Sequence, residues 1–203
     1  MKEPQSKTYV YRMYPTEEQK VLLNKTFGCV RVVWNRNVFT FNSYDKETNP
    51  RPVYRSSTEM KEQFPWMDEV SAAALQQKEI DFKRYLKERF DKNRKVPVGD
   101  PSYKKRGGHQ SFRLPNQKFY LKDSSIRLEK IGFVPIVIDR PIPEGAKLIR
   151  VTVKKDPVGR FFAKICVEQE IKPRFPMTGS AVGVDVGLKT FLTLSTGEIV
   201  ENP

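Results

Sequence analysis

Cysteine is nearly absent from this sequence. Of its 203 residues two are cysteines, Cys29 and Cys166. That excludes a disulfide framework and a cysteine-rich zinc site within the chain, and it fits a reducing cytosol. Histidine is scarcer still, with His109 alone. It lies in a Gly-rich basic loop without a second histidine or a nearby nucleophile, so it is given no catalytic role. No apolar run reaches the roughly 18 residues of a membrane-spanning helix. The opening residues, Met1 to Ser6, hold no apolar signal-peptide segment. Acidic side chains are in deficit, 24 against 37 basic, for a formal net charge of +13. Aromatics are not scarce. They make up 11% of the chain, which argues against wholesale disorder. The length admits one large domain or two small ones, with a core that needs no staple.

The basic excess is concentrated. Residues 93–160 hold 16 of the basic and 6 of the acidic side chains, whereas residues 44–92 hold 10 of each. Such a concentration is the electrostatic footprint of a polyanion-binding surface. Aromatics interleave with the charges in Tyr103-Lys104-Lys105-Arg106 and Phe112-Arg113. That favours phosphate contact with stacking, hence a nucleic acid, over a merely soluble surface. A membrane surface is disfavoured because the segment has no basic amphipathic helix.

Along the chain, residues 7–13 are β-branched and aromatic and read as a strand. Thr16-Glu17-Glu18-Gln19 is a capping box, and apolar residues at 23, 27, 30, 34, 38 and 41 form a helical stripe. Gly28 inside that stripe suggests a close approach. Residues 45–57 read as a loop, and a short helix is expected over 58–63. A second long helix is expected from Trp66 to Asn93, with Phe82, Leu86 and Phe90 as its apolar line. From 94 the chain reads as basic and irregular until Phe119. Short strands then recur at 118–121, 125–128, 134–138, 147–154 and 160–169. The last two join as a hairpin at Asp156-Pro157-Val158-Gly159. The fold class is therefore α+β: a small antiparallel sheet or barrel, begun by the first strand, with the helices inserted into it. Pro173-Arg174-Phe175-Pro176 reads as a linker, and a strand–turn–strand pattern follows it.

Asp185 is the one chemical candidate. It stands in an apolar strand between Gly183 and Gly187. An unpaired carboxylate in an apolar setting is costly, and the usual remedy is a cation such as Mg²⁺ or an Arg partner. A strand of this kind opens both RNase H-like nucleases and actin-like ATPases. An ordinary strand-end Asp fits it too, and the motif alone leaves all three open. Cys29 reads as core, and Ser56 and Ser57 lack a base partner.

Taken in order, the motifs resemble the N-terminal half of TnpB. That family comprises RNA-guided nucleases encoded by insertion sequences, formerly classed as OrfB transposases, and is similar to the ancestor of type V CRISPR effectors. The features are Tyr11-Arg12-Met13-Tyr14-Pro15 with Gln19, Gly28 to Asn35 with Val33-Trp34-Asn35, Trp66-Met67-Asp68-Glu69-Val70 and Ala74-Leu75-Gln76. They continue with Tyr103-Lys104-Lys105-Arg106, Ser111-Phe112-Arg113, Val151-Thr152-Val153 and Gly183-Val184-Asp185-Val186-Gly187-Leu188-Lys189. The resemblance implies a wedge-type β-barrel interrupted by a helical recognition lobe, then a RuvC nuclease domain of RNase H fold. On that division residues 1–14 are the first barrel strand and 15–93 the helical lobe. Residues 94–172 complete the barrel, and 173–203 are a linker and the start of the nuclease. The implied partners are a guide RNA and target double-stranded DNA, with sequence specificity delegated to guide pairing. Ser57, Gln76 and Asn116 match the positions that read a short DNA motif, and Arg12, Lys104, Lys105, Arg106 and Arg113 would contact nucleic acid. Asp185 would be catalytic and a ligand of Mg²⁺.

The same resemblance carries a departure. A RuvC-type site needs several carboxylates from separate segments, and Asp185 is the one at hand. The expected place of the others, and of the family's zinc ribbon, is beyond Pro203. The chain is thus expected to be catalytically incomplete by itself. It would be either the N-terminal portion of the nuclease or a nuclease-inactive RNA- and DNA-binding module acting as a repressor or accessory factor.

Overall fold

The computed structural model describes residues 5–45, 47, 52–169 and 179–202. The chain divides into two units, residues 1–170 and 171–203. The linker expected at Pro173–Pro176 lies outside the described residues.

The first unit opens with strand β1 (Gln5–Met13) and helices α1 (Glu17–Asn42), α2 (Ser57–Gln63) and α3 (Ala72–Arg89). Six strands follow: β2 (Gln110–Pro115), β3 (Phe119–Lys122), β4 (Ser125–Leu128), β5 (Gly132–Val137), β6 (Lys147–Lys155) and β7 (Phe161–Gln169). All seven strands form one antiparallel sheet in the order β2-β6-β7-β1-β5-β4-β3. The two edge strands, β2 and β3, are separated in the chain by one 3₁₀ turn, Asn116–Lys118. Successive antiparallel steps across the sheet leave these edges pointing the same way. Residues 110–122 are therefore one bent run. Its first half pairs with β6 (Phe112 opposite Val153) and its second half with β4 (Phe119 opposite Leu128). The run forces the sheet to roll until its edges nearly meet, which leaves little open edge.

Alternation decides what lies inside the roll. Tyr9, Tyr11 and Met13 of β1, Val151 and Val153 of β6, and Phe161, Ala163, Ile165 and Val167 of β7 are buried. Helix α1 adds Leu23, Phe27 and Val30 to the same core. The Phe27 ring lies 5.3 Å from that of Phe112 and 6.4 Å from that of Phe161. The capping box forms as read: the Gln19 N–H donates to Thr16 Oγ1 at 3.3 Å. The Gln19 side chain also reaches the Phe133 carbonyl of β5 at 2.7 Å, tying the start of α1 to the sheet. Gly159 takes φ 88° in the β6–β7 turn, and its N–H donates to the Asp156 carbonyl at 3.0 Å.

Four readings are corrected. The helix expected from Trp66 to Asn93 is two elements, a 3₁₀ turn at Pro65–Glu69 and α3. Between them Ser71 caps α3 by accepting from the Ala74 N–H, and a capping Ser competes with helix continuation. Helix α3 then ends at Arg89, and Phe90 is 66% exposed instead of completing an apolar line. Strand β2 falls where the chain read as irregular. Glycines and basic residues masked a six-residue strand whose signal was the alternation of buried Phe112 and Leu114. At Gly28 a Cβ would meet nothing nearer than the Arg31 guanidinium at 3.9 Å, so no close approach explains that glycine.

The second unit is a three-stranded antiparallel sheet of β8 (Val184–Asp185), β9 (Thr190–Leu194) and β10 (Ile199–Glu201), ordered β10-β9-β8. It matches the expected strand–turn–strand pattern.

Candidate nucleic-acid interface

The basic loop between α3 and β2 is fastened down, and α1 does the fastening. The Trp34 indole N–H donates to the Ser102 carbonyl at 3.0 Å. The Asn35 side chain binds the Lys104 backbone twice, accepting from its N–H at 2.8 Å and donating to its carbonyl at 3.0 Å. Tyr85 and Arg89 of α3 hold the start of the loop through the Gly99 carbonyl and Asp100. The Val33-Trp34-Asn35 motif thus has a physical account: Val33 is core, and its two neighbours anchor the loop.

Two hollows flank the anchored loop. The first, about 570 Å³, lies between α3 and β2 and is lined by Lys78, Arg84, Lys104 and Arg113 with Asp81 and Glu88. The second, about 470 Å³, lies along α1 and is lined by Lys25, Arg31, Arg106 and Lys155, with no carboxylate in its wall among the described residues. A small cavity whose lining includes Lys104, Arg31, His109 and Gln110 shares residues with both, so the two hollows adjoin, and together they are called the trough.

Charges within the trough differ in how far they are neutralised. Asp81 accepts from Lys78 and from Arg84, each at 3.0 Å, and is in contact with Arg113. One carboxylate therefore serves three cations. Glu88 is engaged by Arg94 at 3.2 Å. Lys25 pairs with Glu69. Among the described residues Arg31, Lys104, Arg106 and Lys155 have no carboxylate partner. Burial and the guanidiniums of Arg113 and Arg84 bring Lys78 down to about 8, outweighing its contact with Asp81. Lys104 is brought to about 8 by desolvation first and by the Lys78 charge second. The residue as a whole is exposed. The shift belongs to its ammonium, packed 4.3 Å from the centre of the Trp34 ring. Both amines are charged at neutral pH and would gain from an anion.

A family model described as a helix-turn-helix domain of the OrfB type matches residues 1–38. A Streptomyces pristinaespiralis protein, provisionally named an RNA-guided DNA endonuclease, is 36% identical over 205 residues, covering 97% of this chain and 50% of that protein. A second relative, InsQ of Escherichia coli strain K12, carries the same provisional name. It is 26% identical over 204 residues, covering 95% of this chain and 48% of its own. The chain belongs to the TnpB family. It spans about half the length of these curated relatives. Within the described part of the matched N-terminal region, this TnpB chain forms one strand and most of one helix, not two helices joined by a turn.

The structure brings three of the sequence-derived residues, Lys104, Arg106 and Arg113, to the trough. Arg113 shares the Asp81 carboxylate there with Lys78 and Arg84. Lys105 is exposed on the same loop. Arg12, Ser57, Gln76 and Asn116 line neither hollow. The Arg12 guanidinium sits between the rings of Tyr14 and Phe162, at 5.5 and 5.1 Å. Ser57 is buried at the start of α2, its N–H bonded to Glu79, so its side chain is not presented to a surface ligand. Gln76 on α3 and Asn116 in the 3₁₀ turn are exposed. The sequence reading missed Lys25 and Arg31 on α1, Lys78 and Arg84 on α3, and Lys155 at the end of β6. Each is an ordinary basic residue in its own segment. What marks them is convergence, which periodicity of α1 and α3 could have hinted at and no local motif shows.

Asp185 is exposed in a two-residue strand, so the expectation of a costly apolar setting is corrected. The glycines beside it lie close to neighbouring residues of the same unit. A Cβ on Gly187 would come within 3.1 Å of the Thr190 carbonyl, and Gly183 bonds to Ser195 in both directions. Among the described residues no three His, Cys, Asp or Glu side chains come together in a metal-binding group. The residues present do not fit a two-metal site. Among them, too, no helix is long and apolar enough to cross a membrane.

Proposed function

We propose that this chain is the nucleic-acid-gripping N-terminal portion of an insertion-sequence RNA-guided DNA endonuclease. On this reading the trough holds the phosphate backbone of the guide RNA or of the DNA it pairs with. One observation carries the reading: cations from α1, α3, the anchored loop, β2 and β6 converge on one trough, and four of them lack a carboxylate partner among the described residues. The rolled sheet acts as the wedge barrel, the helices as the recognition lobe, and β8–β10 as the opening strands of a RuvC domain with Asp185 as its first carboxylate. Gln76 and Asn116, both exposed, suit contact with base edges or sugar–phosphate.

A second reading is favoured by the isolation of Asp185. A lone exposed carboxylate cannot hold two Mg²⁺ ions for in-line displacement, so this chain alone binds without cutting. The test is purification of the 203-residue chain, followed by a guided-cleavage assay with Mg²⁺. RNA should co-purify and heparin should retain the chain. No cleavage should exceed that of Asp185→Ala. A preparation free of RNA that ignores heparin would refute the nucleic-acid reading, and cleavage by this chain alone would refute its incompleteness.

A further inference from the structure

The α1 hollow has features that bulk charge does not explain. Three of its cations, Arg31, Arg106 and Lys155, come from a helix, a loop and a strand end. Two of them have uncharged side-chain partners, and the backbone of the third is fixed by one of those partners. Arg31 donates to the Gln110 Oε1 at 2.9 Å, and Lys155 donates to the Asn24 Oδ1 at 3.0 Å. The Gln110 amide nitrogen faces three backbone carbonyls, those of Lys105 at 3.1 Å, Arg106 at 2.8 Å and Gly108 at 3.1 Å. One side chain thus fixes the turn that carries Arg106 and the guanidinium of Arg31 at once. Among the described residues no carboxylate in the wall neutralises the set, and like charges held together without a counterion are poised for an anion. Phe27 forms an apolar part of the lining, suited to a sugar.

We propose that this hollow is a phosphate clamp organised by Gln110, which grips consecutive phosphodiesters of one nucleic-acid strand through Arg31, Arg106 and Lys155. The proposal rests on the nucleic-acid reading above and narrows it to one subsite. Gln110 is a positioning residue: it bonds to the Arg31 guanidinium and to the backbone of the loop that carries Arg106, and the cations touch the phosphates. RNA and DNA offer the same phosphodiester chemistry, so the experiment separates them.

The full chain is titrated with a labelled single-stranded RNA, and separately with a DNA duplex of the same sequence, across a KCl series. Each lost phosphate contact should flatten the log–log salt slope by about 0.7 on a single strand and about 0.9 on a duplex. The triple variant R31Q/R106Q/K155Q should therefore flatten it by about 2 on RNA or about 2.7 on duplex DNA. The nucleic acid that shows the change is the one the clamp holds. Gln110→Ala, which keeps all three charges, should flatten the slope by more than half a unit when measured on the folded chain well below its melting transition, a result that lost stability alone would not produce. Arg106→Gln, on the exposed loop, repeats the test should the triple variant fail to fold. Wild-type slopes in the triple variant, or in Arg106→Gln, on both nucleic acids would overturn the clamp. If Lys104→Gln weakens binding in the same series, the trough reading survives that loss. A wild-type chain that binds neither nucleic acid would bring down both.

Discussion

Asp81 is the residue whose loss should separate stability from binding most cleanly. Its carboxylate accepts from Lys78 and Arg84 and contacts Arg113, and its side chain is 16% exposed, as is that of Arg113. Asp81→Asn keeps the shape and removes the charge. Three cations then face one another across a partly buried site, with Lys78 9% exposed by its side chain. Removing one partner of a buried pair costs roughly 3–5 kcal/mol, and the open trough places this case near the lower figure. For a chain of this size about 3 kcal/mol lowers the melting temperature by roughly 6–12 °C. The assay is urea and thermal unfolding at low salt, for Asp81→Asn and for D81N/R113M. The double variant should recover part of the loss, because the cation leaves with its counter-charge and an apolar stem fills the space. Below the melting transition Asp81→Asn should bind nucleic acid more tightly than the parent, since the trough has gained one uncompensated positive charge. A loss under about 1 kcal/mol, or weaker binding by the folded variant, would refute this electrostatic account.

Further outcomes follow from the same geometry. Lys78 and Lys104, both near 8, are charged below that pH, so nucleic-acid affinity should fall as pH rises through 8. The fall should shrink in Lys104→Arg, whose guanidinium stays protonated. Stability should move the other way. The unfolded chain titrates these lysines near their ordinary value of 10.5 and so binds more protons than the folded chain above pH 8, and linkage makes their contribution rise with pH. Comparing the parent with Lys78→Met in melts between pH 8 and 10 checks that sign. Asn35→Ala releases both Lys104 backbone bonds, so trypsin should cut after Lys104, Lys105 or Arg106 faster than in the parent at equal melting temperature. Gly159→Ala forces a side chain to φ 88° and should cost about 1–2 kcal/mol in urea unfolding without changing nucleic-acid affinity.

Much of the fold could be read from local signals, and its misses share one cause. The Thr16 cap, the α1 stripe and the β6–β7 hairpin are written in adjacent residues, so sequence alone located them. Strand β2 and the break at Ser71 depend on distant partners. Arg113 and Phe112 make sense as strand residues only beside β6, and Ser71 is held as a cap partly by its bond to Glu129. The candidate site shows the same division. The loop cations Lys104 and Arg106 stood out as a run, whereas Arg31 and Lys155 join them only because the sheet rolls under α1. Asp185 failed in the opposite direction. Its apolar neighbours suggested burial, yet Val184 and Val186 are themselves exposed, 53% and 68%, so the pattern around it encloses nothing within this unit.

The central claim is that the trough binds phosphate backbone, and the salt dependence of the unmodified chain tests it most directly. Four trough cations without carboxylate partners among the described residues, Arg31, Lys104, Arg106 and Lys155, predict a log–log slope of about −2.8 on single-stranded RNA or about −3.6 on duplex DNA. A slope near zero on both would contradict the account.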